Sequence, residues 1–270
     1  MRSKPIKSKR VGFKGKKNMN IFLAGHMGKE CPQEFIEFNS LFILQTFYDC
    51  IKWQENRQKE VISAPKTFFL DSGAFTFMNS GKNVKWEDYL NKYAHFINKY
   101  DIEYFFELDL DTIIGVEQTK NLTKILESKT QKQCIPVFHA CRGMKRYREM
   151  CKDYKYIAIG ASAITQECRW VRNDKLLKQM VDIAHDYGCK IHGLGYTRLA
   201  NLNDTKIPFD SVDSSACLSG GRFATVYKFT GSKLISKSIK GRSRGYKELN
   251  RHNIQEWIKM QYYKAGYSYE

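Results

Sequence analysis

The stretch Thr67-Phe-Phe-Leu-Asp71-Ser72-Gly73-Ala74-Phe75 decides the fold. Its first four residues are a largely apolar run without period-two alternation, the pattern of a parallel strand covered on both faces, and a carboxylate and a glycine turn close it. The same order recurs on either side. Candidate strands fall at 20–26 (NIFLAGH), 67–71 (TFFLD), 103–109 (EYFFELD), 134–139 (CIPVFH), 156–160 (YIAIG), 190–194 (KIHGL) and 209–214 (FDSVDS). Helical patterns occupy 33–54, 86–100, 116–128, 144–154, 173–187 and 249–263. This alternation predicts an α/β chain folded as a single-domain (β/α)8 TIM barrel, with a doubly wound open sheet as the competing arrangement. Seven strands are plain, and the eighth is expected at 223–229 or near Tyr267.

The 270 residues, 42% hydrophobic and 14% aromatic, suffice for one large domain or two small ones. Lys and Arg number 45 against 28 Asp and Glu, a formal charge of +17, which suits either a polyanionic partner or a merely solubilising surface. Eight scattered cysteines form no CxxC pair and read as reduced thiols, which predicts a cytoplasmic protein. No apolar run approaches the ~20 residues that span a bilayer, so no membrane association is expected. Residues 1–17 carry eight basic and no acidic side chains. We therefore expect a mobile basic arm at 1–18, a barrel at 19–270, and a flexible basic loop near 231–251, where seven basic residues accompany one Glu248.

Polar residues at the C-terminal tips of barrel strands are the candidates for chemistry. They are Asp71 with Ser72 and Phe75, Asp109 with Asp111 just beyond, His139, Gly160, Gly193 with Gly195, and Asp210 with Asp213. Singly, each has a structural explanation as a helix N-cap, a tight turn or a satisfied core histidine. Six successive strand ends bearing such residues make a coherent set. Retaining cleavage of an N-glycosidic bond needs a carboxylate that attacks the anomeric carbon and a carboxylic acid that shuttles a proton to the departing base. Asp213 and Asp71 suit those roles, because their strands are separated by only two others around a closed ring. An ionised Asp109 suits the N1–H and N2–H donors of guanine, and Phe75 suits the face of an extruded base.

These strings resemble those of the tRNA-guanine transglycosylase family. Leu70-Asp-Ser-Gly-Ala-Phe75 resembles its DSGG-aromatic motif, Glu107-Leu-Asp109 its guanine-recognising strand, and Ile157-Ala-Ile-Gly160 its glycine strand. His192-Gly-Leu-Gly195 is similar to its MGVG-type loop and Phe209-Asp-Ser-Val-Asp213 to its GxDxFD segment. The resemblance implies Asp213 as nucleophile and Asp71 as general acid/base. It also implies base contacts from Ser72, Phe75, Asp109, Gly160 and Gly193, with His139 standing where the family usually carries a Gln. The family's zinc-binding CxCxxC and His are missing, since no cysteine follows Cys217. LDSGAF, PVFHA, HGLGYT and SVDSSA are instead similar to the phage and prophage branch that places 7-deazaguanines such as preQ0 in DNA. That resemblance implies a DNA-guanine transglycosylase in the cytoplasm of a host cell, with a free deazaguanine as co-substrate and no metal or other cofactor. Phosphates would be gripped by the arm and by Arg142, Lys145, Arg146, Arg148, Arg222, Lys240, Arg242 and Arg244. The rival readings are a tRNA enzyme without its zinc subdomain, a catalytically silent nucleic-acid-binding barrel, and a barrel enzyme acting on small phosphorylated sugars.

Overall fold

In the computed structural model the described residues are 19–26, 30–74, 76, 84–160, 173–196, 198–239 and 245–269, with the side chains of 221 and 222 excepted. The elements run β1 (Asn20–Ala24), α1 (Gln33–Glu37), β2 (Phe42–Thr46), α2 (Phe47–Cys50), α3 (Glu55–Ser63), β3 (Thr67–Asp71) and α4 (Trp86–Lys99). They continue with β4 (Tyr104–Phe105), α5 (Asp111–Ile114), α6 (Val116–Thr130), β5 (Val137–Phe138), α7 (Gly143–Asp153), β6 (Tyr156–Ile159) and α8 (Asp174–Asp186). The chain ends with β7 (Lys190–Gly193), α9 (Leu199–Asp204), β8 (Ser211–Ser214), α10 (Ser219–Phe223), β9 (Thr225–Phe229), β10 (Leu234–Ser238) and α11 (Tyr246–Ala265).

Strands β1 to β8 form one sheet in the order β4-β3-β2-β1-β8-β7-β6-β5, with every neighbouring pair parallel. Its two edges meet. Phe106 bridges Ile135 in parallel, Glu107 N donates to Ile135 O at 3.1 Å, and Ile135 N donates to Phe105 O at 2.8 Å. This seam closes the ring, and the fold is the expected (β/α)8 barrel.

The eighth barrel strand is β2, which lies inside the stretch read as a single helix at 33–54. Leu41-Phe-Ile-Leu44 is a continuous apolar run, and a run of four fits a buried strand or a buried helix turn equally well. The chain decides by turning at Asn39, whose φ is +54°, so that α1 stops and β2 starts. The segment 223–229 contributes no barrel strand: β9 pairs antiparallel with β10 in a separate hairpin. The stretch 231–251 is likewise not one loop, since β10 and the first turns of α11 occupy most of it.

Inside the barrel, alternation along each strand stacks the inward side chains in layers. Phe22, Phe69, Phe106 and His192 fill the middle layer, with the Phe22 and Phe69 rings stacked at 3.9 Å and the Phe69 and Phe106 rings each 5.5 Å from His192. Full burial of each phenyl ring is worth about 1.5–3 kcal/mol. Below this layer, at the strands' N-terminal ends, α11 stitches the ring. Gln261 is fully buried, its Nε2 donates to Ile21 O at 2.7 Å and Phe42 O at 2.9 Å, and its Oε1 accepts from Leu41 N at 2.6 Å.

Candidate active site

One step up from the aromatic layer, the inward positions carry carboxylates. Asp71 stands two positions after Phe69 and Asp213 two after Ser211, so each acid stands on the inner face at its strand's C-terminal end. Thr46 pairs with Asp71, and Phe22 pairs with Asp213, which places β1 and β2 between the two acids. Asp109 completes the group from the end of the fourth strand, in a left-handed backbone conformation (φ +53°) that costs energy in a non-glycine residue.

Asp71 senses the other two acids. Burial pushes the Asp71 carboxyl up to about 7, and the charges of Asp109 and then Asp213 add to the effect. The backbone N–H of Gly73, 3.3 Å from Asp71 Oδ2, acts in the opposite direction. Near neutrality Asp71 is therefore poised between a proton donor and an acceptor.

Asp213 is held differently. Its Oδ1 accepts from Gly195 N at 2.7 Å and faces His192 Nε2 at 3.1 Å. No hydrogen bond reaches its Oδ2 from the described residues. The positive φ of Gly195 (+61°) turns that N–H inward. From sequence, Gly195 is a candidate only beside Gly193 in a glycine loop, and His192 carries no assigned role. The available signal was period two: His192 shares the inward face of β7.

Asp109 Oδ1 lies 2.6 Å from His139 Nε2. The His139 ring is buried (3% exposed), so the direct base contact expected of it is revised to that of a prop for Asp109. Gly160 makes the prop possible. A Cβ there would stand 2.5 Å from Val137 Cγ1 and 3.1 Å from His139 Cε1.

Four further expectations change. Ser72 is buried with its hydroxyl donating to Leu108 O at 3.1 Å and accepting from Ala74 N at 3.2 Å, so it braces the β3 and β4 ends instead of facing a base. Gly193 points out of the barrel, where a Cβ would meet Tyr196 and Phe209 at 3.0 and 3.2 Å, and its lack of a side chain serves packing. Asp210 lies at the opposite end of β8 from Asp213, where its Oδ2 accepts from Ile191 N at 2.9 Å and sits 2.9 Å from His185 Nε2. Arg142 is no phosphate ligand. Its side chain is 1% exposed and pairs with Asp111 at 2.6 Å and Glu107 at 2.8 Å, because two carboxylates flanking Asp109 would otherwise be buried uncompensated. This triad fixes the backbone on both sides of Asp109.

Lys145 is exposed, and Arg146 is half-buried with Glu149 at 3.3 Å. Phe75, Lys240, Arg242, Arg244, the arm at 1–18 and the side chain of Arg222 lie outside the described residues. Among the described residues no group of three or more His, Cys, Asp or Glu is arranged to hold a metal, and no helix is long and apolar enough to cross a membrane.

Comparison of the sequence with protein-family models and with curated proteins finds no match.

Proposed function

We propose that this barrel is a base-exchanging transglycosylase that removes guanine from DNA and installs a 7-deazaguanine through a covalent ester on Asp213. The observation that carries the proposal is the unlike state of two inward acids at one barrel mouth. Burial pushes Asp71 up to about 7, while Asp213 has one oxygen tied down and the other without a hydrogen bond from the described residues. Pairs of carboxyls whose surroundings set them to different tasks are the signature of retaining glycosyl transfer.

The steps balance. Asp213 Oδ2 bonds to C1′ as the C1′–N9 bond breaks, and the proton of Asp71 passes to the departing guanine. A deazaguanine then enters, gives its N9 proton to Asp71, and its nitrogen displaces the Asp213 ester, restoring both side chains. Asp109, held by His139, accepts from the guanine N1–H and N2–H donors, an edge that adenine does not present. The target nucleotide leaves the stack at a cost of a few kcal/mol before either acid reaches it. The +17 charge supports a polynucleotide substrate, and the resemblance of LDSGAF, PVFHA, HGLGYT and SVDSSA to the DNA-modifying branch favours DNA over tRNA.

The test is base exchange: radiolabelled guanine or preQ0 is incubated with the protein and either duplex DNA or tRNA. Incorporation into DNA supports the proposal, and incorporation into tRNA alone assigns the tRNA-directed alternative. Salt-sensitive DNA binding with no exchange, unchanged in Asp213→Ala, would mark a silent binding barrel.

A further inference from the structure

Beneath Asp213 a file of polar side chains crosses the otherwise aromatic interior of the barrel. Tyr156 OH lies 2.6 Å from Ser211 Oγ, Ser211 Oγ is hydrogen-bonded to His192 Nδ1, and His192 Nε2 lies 3.1 Å from Asp213 Oδ1. His192 and Ser211 are fully buried, and the imidazole is packed by Phe22, Phe69 and Phe106. Polar groups in such a layer forgo apolar burial, and a core that needed only filling would carry Leu or Phe there. These groups stand on adjacent strands β6, β7 and β8, with Ala158 beside His192 and His192 beside Ser211 in register.

We infer that Tyr156, Ser211 and His192 are positioning residues that hand Asp213 a single donor and so leave Oδ2 as its attacking oxygen. The inference rests on the nucleophile role proposed above. With a neutral imidazole and an ionised Asp213, one ordering of protons satisfies every member. Tyr156 O–H donates to Ser211, Ser211 O–H donates to Nδ1, and Nε2–H donates to Oδ1. Burial also pushes the Tyr156 hydroxyl up, so it keeps its proton and anchors the direction of the file. With Gly195 N–H as the second donor, Oδ1 carries two hydrogen bonds and is the less nucleophilic oxygen. The opposite tautomer would present a bare Nε2 to the carboxylate, repelling it and letting it rotate. The file fixes orientation and moves no net charge.

The test combines imidazole nitrogen NMR with single-turnover adduct formation, on the full chain and on Ser211→Ala and Tyr156→Phe, with His192→Gln for assignment. The expected spectrum shows His192 protonated at Nε2 only, and a mixture of tautomers in Ser211→Ala. The rate of adduct formation should fall about three- to tenfold in either variant, the loss of one net hydrogen bond, with KM for the polynucleotide unchanged. Tyr156→Phe keeps the ring and guards against misfolding of Ser211→Ala. An Nδ1-protonated His192, or a tautomer and rate untouched by both variants, would overturn the inference. The expected tautomer with no adduct in any protein would instead overturn the transglycosylase reading and the catalytic purpose of the file, leaving its hydrogen-bond order intact.

Discussion

Replacing Asp71 by Asn removes a half-buried acid that the fold keeps at a cost. The carboxyl titrates near 7 in the folded chain against 3.8 for an unperturbed Asp. About three pKa units correspond to ~4 kcal/mol, and the side chain's partial exposure reduces this to about 2–4 kcal/mol. The sign follows from proton binding. Between about pH 4 and pH 7 the folded state holds a proton that the unfolded state has lost, so this group's contribution to stability falls as pH rises through that window, and the full cost is borne above pH 7. An Asn has no such titration and its amide oxygen can still accept from Gly73 N. Asp71→Asn should therefore be near neutral at about pH 4 and more stable than the wild type by about 2–4 kcal/mol at about pH 9, while base exchange is lost. Urea unfolding of both proteins at the two pH values gives the difference directly, with the other titrating groups cancelling. A stability difference that does not change with pH, or one favouring the wild type at high pH, would refute the electrostatic account of the site. Loss of function with gain of stability is the expected pattern for a strained catalytic group.

Arg142→Met should destabilise the protein by about 3–5 kcal/mol in urea unfolding, because Glu107 and Asp111 are left buried without their cation. The salt dependence of DNA binding should not change in that variant, whereas a phosphate ligand would lower the slope by about one. Gly160→Ala should cost about 1–3 kcal/mol through the 2.5 Å approach to Val137, and should weaken guanine selectivity as His139 shifts away from Asp109. Gln261→Leu strips the buried Leu41 N–H and the Ile21 carbonyl of their side-chain partner, while Phe42 O keeps the Ser40 hydroxyl at 3.1 Å, and should cost about 1–3 kcal/mol for each group left unpaired, read as a lowered urea midpoint with unchanged site chemistry.

Much of this architecture was legible in the sequence, and the failures have physical causes. Thr67–Asp71 and Ser211–Ser214 read as strands because a parallel strand buried on both faces is apolar throughout, and their acids stand out against that background. β2 was hidden because Leu41-Phe-Ile-Leu44 is too short for periodicity to separate strand from helix, and the turn that settles it is made at Asn39, whose tolerance of a left-handed backbone is a single-residue stop signal inside an apolar pattern. Charge was read too directly at Arg142. A basic residue does not reveal whether its partner is a phosphate or a buried carboxylate, although Glu107 and Asp111 on either side of Asp109 hinted at the second. Asp210 and Asp213 looked equivalent three residues apart, yet opposite ends of one strand give them opposite surroundings. Gly195 acts through a backbone angle that its position in a glycine loop does not reveal, and His192 through an inward-facing layer that only the period-two pattern of β7 marks.

The most direct measurement of the central claim is the site of covalent attachment. The protein would be mixed with guanine-containing DNA in the absence of an acceptor base, denatured, digested and analysed by mass spectrometry. The account predicts a sugar-linked peptide modified at Asp213 in the wild type and none in Asp213→Asn. Attachment at another residue, or an equal adduct in Asp213→Asn, would contradict it.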